Sequence, residues 1–265
     1  MTLDGCSALI TGASAGIGRE FARQLARRAR SLILVARREQ KMNELRDELR
    51  QAHPNLIVHI RETDLADPGQ LKELMAWLDR EKIDVDVLIN NAGLGDLGSF
   101  VTSDSTRNEQ MLLVNIVALT SLTRHLLTQM IARRRGGILN VSSSAGFLPI
   151  PGFAVYAASK AYVTSFSEAL RAELRGRGVS ICALCPGPVH TEFQEIAQRP
   201  EGPPEAGPEF VYVALERVVR EALRALEADR PLVVPGLAIK LGMLLVRMTP
   251  MPMLRWASRF SVKRM

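Results

Sequence analysis

The chain has 265 residues, 47% of them apolar, 23% charged and 5% aromatic, and a formal net charge of +6. That composition excludes a disordered chain, a coiled coil and a disulfide-stapled mini-protein, and the length suffices to bury a core without metals or cross-links. The positive excess lies entirely in residues 236–265, which hold Lys240, Arg247, Arg255, Arg259, Lys263 and Arg264 and no acid. A charge-balanced body with a basic tail argues against nucleic acid as the partner.

Along the chain, short apolar runs alternate with segments of helical period. Ser7–Ile10 reads as a strand, and Thr11-Gly12-Ala13-Ser14-Ala15-Gly16-Ile17-Gly18 follows it and opens a helix over Gly16–Ala29. Glycines at such a junction permit a tight turn and let backbone N–H groups approach a pyrophosphate at the helix N-terminus. Strand Ser31–Ala36 precedes a helix over Glu39–Ala52, and strand Leu56–Ile60 precedes Pro68–Lys82, where the proline suits the first helical turn. Val85–Asn90 is a fourth strand, ending in Asn90-Asn91-Ala92-Gly93. A long helical segment then runs from about Asp104 to Arg134, and Asn115 interrupts its apolar stretch. A buried amide must find hydrogen bonds or it costs roughly 1–3 kcal/mol.

Strand Ile138–Ser142 runs into three adjacent serines, and the helix Ala154–Gly176 carries Tyr156 and Lys160 four residues apart on one face. A free tyrosine ionises near pH ~10, and a neighbouring ammonium favours its phenolate. Val179–Leu184 is the sixth strand; Cys182 and Cys185, three apart, face opposite sides of it and read as core thiols. No convincing metal-ligand cluster is present. Gln198–Pro208 is irregular and rich in Pro, Gly and Glu, the signature of a lid or substrate loop within a domain. A helix near Glu209–Ala228 and a strand at Leu232–Val234 complete the pattern. Repeated βαβ units at this spacing predict an α/β protein with a parallel sheet covered on both faces.

Thr11–Gly18, Asn90–Gly93, Ser143, Tyr156-x-x-x-Lys160 and Pro186-Gly-Pro-Val-His-Thr191, taken in order, resemble the motifs of the short-chain dehydrogenase/reductase family, from residue 7 to about 235. The resemblance implies a Rossmann-type doubly wound parallel sheet of about seven strands and a single domain over 1–235, with a substrate loop at 191–208. It implies that Tyr156 is the general acid/base, that Lys160 lowers its pKa and holds the nicotinamide ribose, and that Ser143 orients the substrate oxygen, with Ser142 and Ser144 as alternatives. Asn115 would support a water-linked proton relay to Lys160; a satisfied core amide is the other reading. Gly12, Ser14, Ala15, Gly16, Ile17 and Gly18 would cradle the dinucleotide, and Asn91, Ala92 and Gly93 would line the adenine ribose. Asp64 and Leu65 would meet the adenine, although Asp64 also reads as a helix cap. Pro186, Gly187, Val189 and Thr191 would flank the nicotinamide, with Thr191 at its carboxamide and His190 at the surface or in the substrate loop.

The second strand ends in Ala36-Arg37-Arg38, where a fold that uses NAD places an acid to accept from the ribose hydroxyls. No carboxylate is available there, and Arg37 and Arg38 suit a 2′-phosphate. NADP(H) is therefore expected over NAD(H), although Ala15 stands where many NADP-using relatives carry Lys or Arg. The expected activity is NADPH-dependent reduction of a ketone or aldehyde, apolar or lipid-like, by a cytoplasmic homodimer or homotetramer. The alternatives are an NAD-dependent alcohol dehydrogenase and a dinucleotide-binding regulatory protein. Three cysteines and the lack of a leader-like N-terminus fit a reducing compartment.

In residues 236–265, Gly236–Val246 is apolar but shorter than the roughly 20 residues a spanning helix needs. Beyond Pro252 a helical projection puts Arg255, Arg259 and Lys263 on one stripe beside Met253, Trp256, Ala257 and Phe260. A basic amphipathic segment with Trp is the pattern of a peripheral membrane contact; a helix docked over the core or a dimer contact is the other reading.

Overall fold

Apolar runs without alternation become strands buried on both faces. The computed structural model describes residues 1–199, 209–250 and 252–253. Most of the irregular stretch, and the tail positions Arg255, Trp256, Ala257, Arg259, Phe260, Lys263 and Arg264, lie outside the described residues. Strands β1 (Ser7–Thr11), β2 (Ser31–Ala36), β3 (Ile57–Glu62), β4 (Val87–Asn90), β5 (Gly136–Val141), β6 (Val179–Leu184) and β7 (Leu232–Val233) form one sheet in the order β3-β2-β1-β4-β5-β6-β7. Every pairing is parallel. The order reverses between β1 and β4, and in such sheets the ligand crevice opens at that switch point, beyond the carboxyl ends of the strands.

The helices are α1 (Gly16–Ala26), α2 (Glu39–Ala52), α3 (Pro68–Arg80), α4 (Ser105–Leu112), α5 (Leu119–Ala132), α6 (Ala154–Glu173), α7 (Glu192–Ala197), α8 (Leu215–Glu227) and α9 (Leu237–Met248). Successive residues of β1 serve opposite cores. Ala8 and Ile10 join Phe21 and Leu25 of α1, Met42 and Leu45 of α2 and Val219 of α8, whereas Leu9 joins Leu74 of α3 and Leu122 and Leu126 of α5. Each fully buried side chain of this size contributes about 1.5–3 kcal/mol.

Several boundaries differ from the sequence expectation. The segment expected as one helix from Asp104 to Arg134 contains a π-helical stretch at Leu113–Ala118 between α4 and α5. The last helix of the body starts at Leu215, not Glu209, because Glu209–Val211 makes only a 3-10 turn and Val213 N–H donates to Pro188 O at 3.4 Å. Helix α7 occupies residues that had no helical expectation. The continuous helical stretch Ser105–Ala132 is long and apolar enough to cross a bilayer, which the sequence reading did not recognise. Its Met111, Leu122 and Leu126 are buried in the body, which makes it a core helix of this fold.

Helix α9 lies on the body through Ile239 and Met243. Met243 is buried, and a Cβ added at Gly187 would come within 2.7 Å of Ile239 Cγ1.

Candidate active site

At the switch point β1 runs into the glycine-rich turn. Gly12 and Gly16 have φ of +66° and +51°, a region that favours glycine. A Cβ at Gly18 would sit 2.3 Å from Gly12 O, so α1 and the turn touch backbone to backbone. Asn91 locks this arrangement from the end of β4: its Nδ2 donates to Thr11 O at 2.9 Å and Gly12 O at 3.3 Å. The N–H groups of Asn91 and Ala92 both donate to Thr11 Oγ1 at 3.0 Å. The turn is thus fixed by protein atoms at the N-terminus of α1, where such a helix end can take a pyrophosphate. Across it lies Thr191, whose Cγ2 would be 3.2 Å from a Cβ at Gly16. Ala15 is the extended residue before α1, and Ile17 packs against the core.

At the end of β2, Arg37 is exposed and makes no ion pair among the described residues. Arg38 donates to Ser14 Oγ from Nε at 3.3 Å and from Nη2 at 3.2 Å. A carboxylate does reach this place, contrary to the sequence reading, but from far along the chain. Glu192 accepts from Arg38 Nη1 at 2.7 Å and Lys41 Nζ at 2.8 Å, and these two cations, Lys41 first, hold its carboxyl down at about 2. No local pattern signals this pairing. Asp64 uses Oδ1 to accept from Ala66 N at 3.0 Å, and Leu65 is buried beside it. The cap of α3 is Asp67, which accepts from Gly69 and Gln70 N–H groups.

The second cluster forms where β5 and α6 meet. Tyr156 and Lys160 are both buried, and Lys160 Nζ lies 5.6 Å from the centre of the tyrosine ring. Lys160 Nζ donates to Val141 O at 2.8 Å; burial lowers its pKa to about 8. Of the three serines, Ser142 is committed to the fold, donating to Lys160 O at 2.7 Å and pairing with Thr164 Oγ1 at 2.7 Å. Ser144 N–H donates to Pro186 O at 2.8 Å. Ser143 begins the 3-10 turn Ser144–Phe147, its Oγ accepts from Ala145 N–H at 3.1 Å, and its hydroxyl favours the phenolate of Tyr156. Burial outweighs that effect and pushes the phenol up to about 12, above rather than below its usual value.

Asn115 sits in the π-helical stretch, a geometry frequent at functional sites. Its amide is fully engaged: Oδ1 accepts from Leu94 N at 2.8 Å, and Nδ2 donates to Leu94 O at 3.0 Å and Ser159 Oγ at 2.9 Å. Gly93 lies between the two side chains, since a Cβ there would be 3.3 Å from Lys160 Nζ and 3.5 Å from Asn115 Oδ1.

Aromatic side chains collar the phenol. Phe153 stacks on Tyr156 with ring centres 4.2 Å apart, Phe193 lies at 5.5 Å, and Leu94 and Ile150 pack in the same cluster. Segments following β4, β5 and β6 are tied together here. Leu97 bridges Gln198, Gly98 N–H donates to Gly152 O at 2.9 Å, and Asp96 accepts from Arg199 Nε at 2.7 Å. Arg107 Nη2 adds bonds to Gly95 O at 2.7 Å and Ile196 O at 2.8 Å. The exposed His190 pairs with Glu209 at 3.1 Å and stacks on Tyr212 at 4.1 Å. Gly187 lies against Ile239 of α9, Pro186 O accepts from Ser144 N–H, and Val189 is buried. Cys182 and Cys185 are free and buried; burial raises their thiols to about 12 and about 11.

Comparison with known proteins agrees with this geometry. The short chain dehydrogenase family model matches residues 7–201. The NADP-dependent 3-hydroxy acid dehydrogenase YdfG of Escherichia coli is 36% identical over 191 residues, covering 71% of this chain and 75% of its own. A very-long-chain 3-oxooacyl-coA reductase of Caenorhabditis briggsae is 34% identical over 217 residues, covering 80% of this chain and 68% of its own. A short-chain dehydrogenase from Sphingobium yanoikuyae, solved in complex with NADPH, superposes with a TM-score of 0.80 at 30% identity, covering 93% of this chain and 97% of its own. The chain belongs to the short chain dehydrogenase family, as an oxidoreductase that uses a nicotinamide dinucleotide.

Proposed function

We propose that the protein is an NADPH-dependent reductase of an apolar ketone or aldehyde. The observation that carries this reading is the buried Tyr156 phenol, on the same helical face as Lys160 and under an apolar aromatic collar. A nicotinamide, when bound, would supply the hydride. Ser143 holds the substrate oxygen, and Tyr156 gives that oxygen its proton. A phenol held at about 12 keeps its proton at neutral pH, the state that reduction needs. Lys160 would hold the ribose hydroxyls, and its ammonium would favour the phenolate left after transfer. Asn115 fixes the Leu94 backbone beside Lys160 and thereby shapes the route by which a water-linked relay returns the proton. Phe153, Phe193 and Ile150 exclude water and favour an apolar substituent.

Gly12 to Gly18, with Asn91 to Gly93, would hold the pyrophosphate and adenine ribose, and Pro186 to Thr191 the nicotinamide. Arg37 and Arg38 would hold the 2′-phosphate, Arg37 being exposed and free of ion pairs among the described residues. Three buried free thiols support a reducing compartment, the cytoplasm. The exposed Leu112, Val117 and Tyr162 on the helices α4 to α6 favour a homodimer or homotetramer.

Tyr156→Phe tests the mechanism. Turnover of a ketone is expected to fall by roughly 10²–10⁴-fold while NADPH binding, read by fluorescence titration, stays within about threefold. Substantial turnover in that variant overturns the assignment. Arg37→Asp tests the cofactor: the NADPH-to-NADH ratio of kcat/KM is expected to drop roughly 10- to 100-fold. An unchanged ratio sinks the 2′-phosphate reading.

A further inference from the structure

Helix α9 is apolar on two opposite sides. Ile239 and Met243 face the body, where they lie over Gly187 and in the core. On the other side Leu237, Leu241, Leu244, Leu245 and Met248 are between 56% and 75% exposed. Their spacing of i, i+4, i+7, i+8 and i+11 draws one continuous stripe along the helix. Scattered exposed leucines are ordinary, but a contiguous apolar stripe marks a contact surface. A helix stabilised only by packing on the body would carry polar residues on its outer side.

The charge around the stripe selects the occupant. Lys240 is exposed beside it, and Arg247 follows seven residues later. From 236 to 265 the sequence adds Arg255, Arg259, Lys263 and Arg264, and contains no acid. A second copy docked through this stripe about a two-fold axis would bring the two basic segments together without an acid from either to meet them. An anionic lipid surface meets both requirements, taking the leucines at the acyl boundary and the lysine and arginines among the headgroups. We propose that α9 docks the enzyme on anionic membrane surfaces. This goes beyond the proposed carbonyl reduction and does not depend on it, because no residue of the stripe belongs to the catalytic cluster.

Co-sedimentation of the full-length protein with vesicles tests the proposal, comparing phosphatidylcholine alone with a phosphatidylcholine–phosphatidylglycerol mixture. The wild type is expected to pellet with the mixed vesicles and to be released by high salt, because each basic residue near an anionic surface multiplies affinity about fivefold. The triple variant Leu241→Ser, Leu244→Ser, Leu245→Ser is expected to lose binding at least about tenfold. Its ketone turnover in vesicle-free buffer should be unchanged. The double variant Lys240→Glu, Arg247→Glu should lose the preference for mixed vesicles, and it keeps the test decisive if the serine variant fails to fold. Equal pelleting of wild type and variants, or no pelleting of the wild type, overturns the proposal. So does a wild type that ignores vesicles but dissociates into smaller species in the triple variant, which assigns the stripe to a second copy.

Discussion

The glycine-rich turn between β1 and α1 is held by partners that the family motifs themselves supply, whereas the wall around Tyr156 is held by partners about a hundred residues apart. In the turn, Gly18 lies against the carbonyl of Gly12, and Asn91 donates to Thr11 and Gly12. These contacts are backbone to backbone or amide to backbone, and they leave little room for alternative side chains. In the wall, Asp96 meets Arg199 and Leu97 meets Gln198, and the collar consists of separately delivered rings from Phe153 and Phe193. The first plan fixes the chain path through the backbone itself. The second builds the wall from side chains and loops, which can change without disturbing the turn.

Substitutions should separate the two plans. The largest effect is expected from Gly18→Ala, whose Cβ would meet backbone at 2.3 Å. A loss of ~3 kcal/mol in urea melts, together with at least tenfold weaker NADPH binding, is the expected outcome. Wild-type melting and binding would mean that the turn tolerates more than its backbone contacts suggest. Asp96→Asn should act on the other half. The Asp96 side chain is only 3% exposed, and the hydrogen bond from Arg199 holds its carboxyl below the usual carboxylate value. The variant is expected to lose ~2 kcal/mol and to raise the KM for ketone while NADPH binding stays constant. Because the folded pKa is depressed, that stabilisation is present above the ordinary value of 3.8 and vanishes as pH falls through the folded value. Wild type and variant should therefore converge in acid melts. An effect on NADPH binding equal to that on KM would break the separation.

A smaller effect is expected from pH alone. Lys160 would belong to both halves, as the proposed ribose contact and the neighbour of Tyr156, and burial lowers its pKa from 10.5 to about 8. The kcat/KM for NADPH should fall as pH rises above about 8, by roughly tenfold per unit once Lys160 is neutral. Folding sheds a proton from this group between about 8 and 10.5, so its contribution to stability rises with pH across the window in which activity falls. A flat kcat/KM profile to pH 10 would remove Lys160 from cofactor binding.

Much of this architecture was legible in the residues. Continuous runs such as Leu32–Val35 mark doubly buried strands because no polar residue is tolerated on either face, and the sheet uses them so. The glycine turn, and Tyr156 four residues before Lys160, were equally plain, since spacing along one turn or one helix is a local property. Other features were not legible. That Ser142, beside the favoured Ser143, is bound to Thr164 of α6 is a tertiary contact. The π-helical stretch interrupts a segment whose apolar period is uniformly helical, and α7 is a short helix in a polar stretch of weak pattern.

The sequence by itself determined the strand–helix alternation, the cofactor turn, the tyrosine–lysine pair and the location of the excess charge, because each is written in residues close together. Only the tertiary structure decided that Glu192 pairs with Arg38 and Lys41, that Asp96 closes on Arg199, and that α9 turns five apolar side chains outward. Those outcomes depend on where distant segments meet once the strands have paired into one sheet. Chain-local chemistry carries no record of such meetings.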